Sequence, residues 1–150
     1  MDFASIANFK PIGTDLYGIE EGQDAAFAGK LFGLGHSISS INFVNEGSFY
    51  CAGLFNTLEG SIIDLNLYNV NISLGGGNFV GTVAGIMGAE AKISNVNAFN
   101  CNVVINSGDG YSVPNHGEIA LGGLVGKTWS SSINLSTYNG YSINLYGIKA

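Results

Sequence analysis

At 150 residues, 46% of them hydrophobic, the chain has the length of one domain and enough apolar side chain to bury a core, which excludes intrinsic disorder. Charged residues make up only 11%, with no arginine and a net charge of −6, so nucleic acid and anionic membrane surfaces, which need clustered cations, are excluded as partners. Glycine, 23 of 150 residues, shares the polar positions with Asn and Ser, a composition suited to strands and tight turns rather than charged helices.

Residues 1–26 read as an entry segment with an acidic loop. Phe9-Lys10-Pro11-Ile12-Gly13 is a short extended piece closed by a turn, because Pro holds its predecessor extended and Gly permits the bend. The stretch from Asp15 to Asp24, with Glu20 and Glu21 inside it, lacks the Asp-x-Asp spacing of a cation loop and reads as solvated. Met1-Asp2-Phe3 has neither the basic start nor the apolar core of a signal peptide. No apolar run approaches the roughly 20 residues that span a bilayer, so no membrane span is expected. The expectation is a form whose export is complete, or an excised segment.

From Phe27 the chain changes character, and 27–150 reads as one repeat domain. Gly29, Gly33 and Gly35 recur too closely for a helix and suit short strands broken by bends. A hexapeptide then appears four times: Ser40-Ile41-Asn42-Phe43-Val44-Asn45, Asp64-Leu65-Asn66-Leu67-Tyr68-Asn69, Asn95-Val96-Asn97-Ala98-Phe99-Asn100 and Asn134-Leu135-Ser136-Thr137-Tyr138-Asn139. Aligned on their first residues, the copies give an apolar column (Ile41, Leu65, Val96, Leu135), a large apolar column (Val44, Tyr68, Phe99, Tyr138) and an asparagine column (Asn45, Asn69, Asn100, Asn139). Gly29, Gly53 and Gly123 each stand eleven residues before a copy; in the third copy the box is Gly81-Thr82-Val83-Ala84-Gly85, and Thr82 stands thirteen before Asn95. The copies lie 24, 31 and 39 residues apart, and the variation falls between the asparagine and the next glycine box. Insertions confined to one position of a repeat map to loops on one side of a stack.

A repeat of this size made of short strands cannot bury its apolar face alone and must stack on its own copies. The expected fold is all-β, a parallel β-helix (β-solenoid) of about four rungs after the N-terminal entry segment. In it, alternation turns Ile41, Leu65, Val96 and Leu135 to one side and Asn42, Asn66, Asn97 and Ser136 to the other. Asn45, Asn69, Asn100 and Asn139 are expected at a bend as a structural ladder, since asparagine tolerates left-handed backbone angles and stacked amides bond one another. Tyr141 to Gly147 echoes the hexapeptide and reads as the next strand, with Ile143, Leu145 and Tyr146 as a candidate stacking edge open to another chain.

Catalytic chemistry finds little support in the residues. A lyase on such a fold needs a basic residue and clustered Asp ligands for Ca²⁺, but Lys10, Lys30, Lys92, Lys127 and Lys149 are spread over separate repeats. Glycosidases need two facing carboxylates, and Asp64 aligns with Ser40, Asn95 and Asn134. Cys51 and Cys101 read as small buried hydrophobes, with a disulfide as the alternative. His36 follows Gly35 in a bend, where its ring can bond nearby backbone. The longest insertion, 102–121, carries Asp109, Tyr111, His116 and Glu118 and is the candidate contact loop. No catalytic residue, cofactor or metal is expected.

The boxes Ala52-Gly53-Leu54-Phe55 and Gly122-Gly123-Leu124-Val125-Gly126, followed by Ile62-Ile63-Asp64-Leu65 and Ile133-Asn134-Leu135, resemble the GLUG-motif repeats of bacterial surface proteins. Such repeats occur in filamentous-haemagglutinin-type adhesins and beside the catalytic part of some immunoglobulin A1 peptidases. Phe27-x-Gly29 through Gly33-x-Gly35-His36-x-Ile38, preceded by Pro11-Ile12-Gly13, looks like the segment that opens these arrays, so the resemblance covers nearly all of 9–143. Phe32 and Leu34 depart from it, standing where Asp and Asn are usual, as does Ser132 where an inward Ile is expected; the departures suggest an apolar contact surface near the first repeat. The resemblance implies a non-enzymatic extracellular segment at the bacterial cell surface, an adhesin or stalk meeting a host or environmental glycan or protein surface. The alternative is a structural subunit that associates with itself end to end into an extracellular filament; a polysaccharide-acting enzyme is the third and least supported reading.

Overall fold

The computed structural model describes residues 1–4, 9–13, 26–106, 119–140 and 142–146, with backbone alone for Ser48, Asn106 and 142–146. Among these residues fourteen strands are formed: β1 (Lys30–Phe32), β2 (Ser37–Ser39), β3 (Asn42–Ala52), β4 (Phe55–Leu58), β5 (Ser61–Tyr68), β6 (Asn71–Gly81), β7 (Ala84–Met87), β8 (Lys92–Phe99), β9 (Asn102–Asn106), β10 (Ala120–Gly122), β11 (Val125–Thr128), β12 (Ser132–Asn134), β13 (Thr137–Asn139) and β14 (Ser142–Tyr146). Among the described residues there is no helix, and the protein is all-β with parallel pairing throughout.

The strands build three sheets. The first holds β1, β2, β5, β8, β12 and β13; the second holds β3, β6, β9, β10 and β14; the third holds β4, β7 and β11. In chain order the strands visit first, second and third sheet in the same succession, and among the described residues the fourth repeat ends in the second sheet. Isolated parallel bridges from Asp2 to Ser39 and Ile12 to Phe55 in the entry segment, and from Phe27 to Leu58 just after it, add a partial layer. Phe3, Phe9 and Phe27 pack against the core at this side, Phe3 edge-on to Phe9 at 5.9 Å and Phe27 tilted over Phe55 at 4.8 Å.

Alternation along each strand decides which side chains face inward. Ile62 and Ile93, Leu65 and Val96, and Leu67 and Ala98 stack layer on layer in the first sheet. Ile72 and Val103, and Leu74 and Ile105, do so in the second, and Leu58 and Met87 in the third. All join one cluster. Burial of each Val, Leu, Ile and Met among them contributes roughly 1.5–3 kcal/mol.

A second, smaller cluster of Cys51, Phe79 and Ile86, with Tyr50 and Ala120 against it, lies where the second and third sheets meet. The Lys127 ammonium sits 4.6 Å from the Phe79 ring centre. Here the strands touch at backbone distance, which explains the glycine boxes. A Cβ on Gly85 would stand 2.5 Å from Ala52 N and 2.7 Å from Phe79 O, and one on Gly126 would stand 2.5 Å from Val80 N.

Register corrects the sequence alignment in two places. Offsets between layers are 31 residues for β1/β5, β5/β8 and β6/β9, 29 for β3/β6 as far as Asn45, and 40 for β8/β12 and β8/β13. The first hexapeptide is therefore not the layer below Asp64–Asn69: Ser37–Ser39 pairs with Asn66–Tyr68, while Asn42–Asn45 opens the second sheet beside Asn71–Leu74. Gly29 correspondingly meets Gly60, whose Cβ would run into the Gly29 carbonyl, rather than taking the place of Gly53. The fourth copy shifts by one residue, so Leu135, expected inward, is 85% exposed at φ 48°, and Ser136 Oγ accepts from Val96 N at 3.0 Å. Tyr138 moves inward over Ala98. Pairing a large ring with the smallest apolar residue of its column fills the space better than the alignment by asparagines would. The same shift puts Ile133, not Ser132, over Ile93.

Candidate functional site

The outer side of the first sheet and its corner with the second carry a set of parallel polar files. Asn100 Nδ2 donates to Asn69 Oδ1 at 2.7 Å. Asn102 Nδ2 donates to Asn71 Oδ1 and Asn71 Nδ2 to Asn42 Oδ1, each at 2.7 Å. On the strand side of the corner, Asn97 Nδ2 donates to Asn66 Oδ1 at 3.2 Å, and Thr137 Oγ1 donates to Asn97 Oδ1 at 2.8 Å. Asn95 Nδ2 donates to Asp64 Oδ1 at 2.9 Å. Between the files of Asn66/Asn97 and Asn69/Asn100, the rings of Tyr68 and Phe99 stack at 5.0 Å and 17°.

Backbone geometry selects these residue types. Ser40, Asn69 and Asn100 bend the chain with φ of 62°, 55° and 52°, and Asp64, Asn95 and Leu135 do so at 54°, 52° and 48°. Asn and Asp enter this left-handed region more readily than other side chains, and the Asn amides then donate from layer to layer to an Asn or Asp side-chain oxygen.

Of the expected four-residue ladder, the structure brings Asn69 and Asn100 together. Asn45 lies beside Leu74, where its Oδ1 accepts from Gly47 N at 2.7 Å next to an irregularity in β3, and Asn139 lies beside Phe99. Ser40 takes the ladder's first place: its N–H donates to the Tyr68 carbonyl. The file Asn42, Asn71 and Asn102 was missed by aligning on a 24-residue interval; a common spacing of 31 relates Asp64 to Asn95, Asn66 to Asn97, Asn69 to Asn100 and Asn71 to Asn102, and it was the available signal.

The candidate loop residues Asp109, Tyr111, His116 and Glu118 lie outside the described residues. Ile143, Leu145 and Tyr146 fall on β14, whose backbone pairs with Val103, Ile105 and Asn106. Phe32 and Leu34 are exposed, at 55% and 73%. His36 Nδ1 lies 3.1 Å from the Gly33 carbonyl oxygen. Cys51 and Cys101 are buried and not joined in a disulfide, and burial raises the Cys101 pKa. Asp2 Oδ1 accepts from Ala4 N at 3.1 Å and Ser39 Oγ at 3.3 Å. The Ser40 hydroxyl, first, and the Ala4 amide hold its carboxyl below the usual range. Among the described residues, no group of three or more His, Cys, Asp or Glu could hold a metal ion, and no helix is long and apolar enough to cross a membrane.

The arrangement offers neutral hydrogen-bonding amides in rows around an aromatic stack. The chain matches no family model, no curated protein and no solved structure.

Proposed function

We propose that the protein is a parallel β-solenoid of the GLUG-repeat kind, and that it serves as an extracellular, non-enzymatic adhesin or stalk segment of a bacterial surface protein. The observation that carries this reading is the fixed succession in which the chain visits three all-parallel sheets, with side-chain files running through successive layers. Strands hydrogen-bonded layer to layer make a stiff rod, and a low-charge outer face suits contact with uncharged surfaces. Beads coated with the protein should adhere to cells or matrix above beads carrying an inert protein of equal net charge. Equal adhesion would remove the adhesin reading.

End-to-end filament formation is the second reading. It is favoured by β11, β12, β13 and β14, each of which ends its sheet with no further strand among the described residues. Against it stand Phe3, Phe9 and Phe27, which cover the opposite side of the core. Negative-stain microscopy over a concentration series decides: fibres of constant width support the filament, and single particles at every concentration exclude it.

A further inference from the structure

One file on the outer side of the first sheet changes chemistry from layer to layer. Asp2 pairs with Ser39, Ser39 with Tyr68, Tyr68 with Phe99 and Phe99 with Asn139. Paired residues of parallel strands point to the same face, so these side chains follow one another outward along the stack. The 5.0 Å ring separation of Tyr68 and Phe99 is close to the layer spacing of about 4.8 Å, so the ring planes lie across the file. Phe99 covers one face of the Tyr68 ring. The other face looks toward Ser39, which is too small to cover it, and Tyr68 stays 39% exposed.

Beyond Ser39 the file is closed by the Asp2 carboxylate. The corner neighbour Ser40 and the strand neighbour Ser37 are small as well, whereas Asn66 and Asn69 flank Tyr68 in the next layer. The result is a notch one layer wide, floored by Ser37, Ser39 and Ser40, with an aromatic wall and a carboxylate wall. Two layer spacings, about 10 Å, separate the backbones of the two walls.

We propose that this notch binds one neutral pyranose residue of a glycan, an inference that rests on the reading of the chain as an adhesive segment. The C–H face of a pyranose carries slight positive charge and packs on the negative face of an aromatic ring. At a carbon–carbon distance of about 4 Å from Tyr68, the sugar ring sits at the level of Ser39, where the file is empty of side-chain bulk. Its opposite rim then faces Asp2, whose carboxylate accepts from sugar hydroxyls as it already accepts from Ser39 and Ala4. Asn69 Oδ1 is taken by Asn100, which turns Asn69 Nδ2 toward the Ser40 side as a donor to a ring or hydroxyl oxygen. The Asp2 charge, partly offset by the Met1 ammonium that donates to the Ser37 carbonyl at 2.6 Å, disfavours sugars whose own carboxylate falls on that rim.

The test uses the full chain on an array of neutral oligosaccharides built of glucose, galactose, mannose and N-acetylglucosamine, with sialylated and uronate-containing counterparts beside them. Binding should be confined to neutral members. Tyr68→Ala should weaken it on the order of tenfold or more. Ser39→Phe should abolish it while leaving thermal stability at or above the parent value, because the new ring fills the notch by continuing the stack; it keeps the test decisive should Tyr68→Ala unfold. Preference for acidic sugars, or neutral-glycan binding untouched by Ser39→Phe, overturns the notch. A protein that adheres to cells yet binds no neutral glycan also overturns it and leaves the adhesive reading standing, whereas failure of both assays removes both.

Discussion

The Tyr138 ring lies in the file of Ala98, and its hydroxyl donates to the Cys101 carbonyl at 3.0 Å across 37 residues of sequence. A Cβ on Gly123 would run into the same ring, so the ring fills the space between Ala98 and the fourth glycine box. Tyr138→Phe removes only the hydrogen bond and should cost about 1 kcal/mol. Tyr138→Ala also empties the space over Ala98 and should cost about 2–3 kcal/mol, less than a fully buried ring because Tyr138 is half-buried. Urea unfolding of the two variants measures both. Equal costs would mean the ring packs no better than a methyl group and that the register shift has another origin.

Alkaline pH should loosen the protein through the same pair. Burial raises the Cys101 thiol above its ordinary 9.0 and the Tyr138 hydroxyl above its ordinary 10.0, with the nearby Cys101 adding to the latter. Well below pH 9 both groups are protonated in folded and unfolded chains alike. As pH rises further, the unfolded chain releases its protons first, so the folded state holds more protons and stability falls. Melting temperature should therefore decline from about pH 9 upward, and more gently in Cys101→Ala and Tyr138→Phe. An unchanged slope in both variants would assign the decline to other groups.

Ladder chemistry and backbone conformation can be separated at Asn100, which donates to Asn69 while holding φ 52°. Asn100→Gly removes the amide but fits the angle, and should cost about 1 kcal/mol. Asn100→Ala adds the strain of a left-handed alanine, for about 2 kcal/mol in all. Asn100→Asp keeps the conformational tolerance yet sets a carboxylate against the Asn69 carbonyl oxygen, so it should be worse than glycine at pH 7. If aspartate and glycine are equally tolerated, the residue is present for its backbone angle alone.

Sheet architecture was legible because apolar alternation and recurring asparagines are local signals. The expectation of stacked parallel strands met an all-β structure paired in parallel throughout. Register was not legible from the same signals. Asparagine occurs in several files at once, Asn42 and Asn45 in one strand and Asn66 and Asn69 across one corner, so a repeat aligned on asparagine alone slips to whichever file is nearest. A one-residue slip exchanges inside for outside, which is why Leu135 and Tyr138 traded places. Neither the Ser39 notch nor its Asp2 wall was foreseen, since both depend on a bridge from the entry segment to β2.

Glycine at 85 is required by contact rather than by conformation, and Gly88 supplies the comparison. A Cβ on Gly85 would meet the backbone at Ala52 N and Phe79 O and the Cβ of Cys51, within 2.5–2.7 Å. None of these can withdraw without moving a strand of the second sheet. A Cβ on Gly88 meets the Glu59 side chain at 3.1 Å, and that chain is exposed and free to turn away. Gly85→Ala should therefore cost about 3 kcal/mol or more. Gly88→Ala should be neutral or stabilise by about 0.5 kcal/mol through the unfolded chain. Thermal denaturation of the two single variants tests this: a well-tolerated Gly85→Ala would mean that the second and third sheets do not approach at backbone distance, and the glycine boxes would then need another explanation.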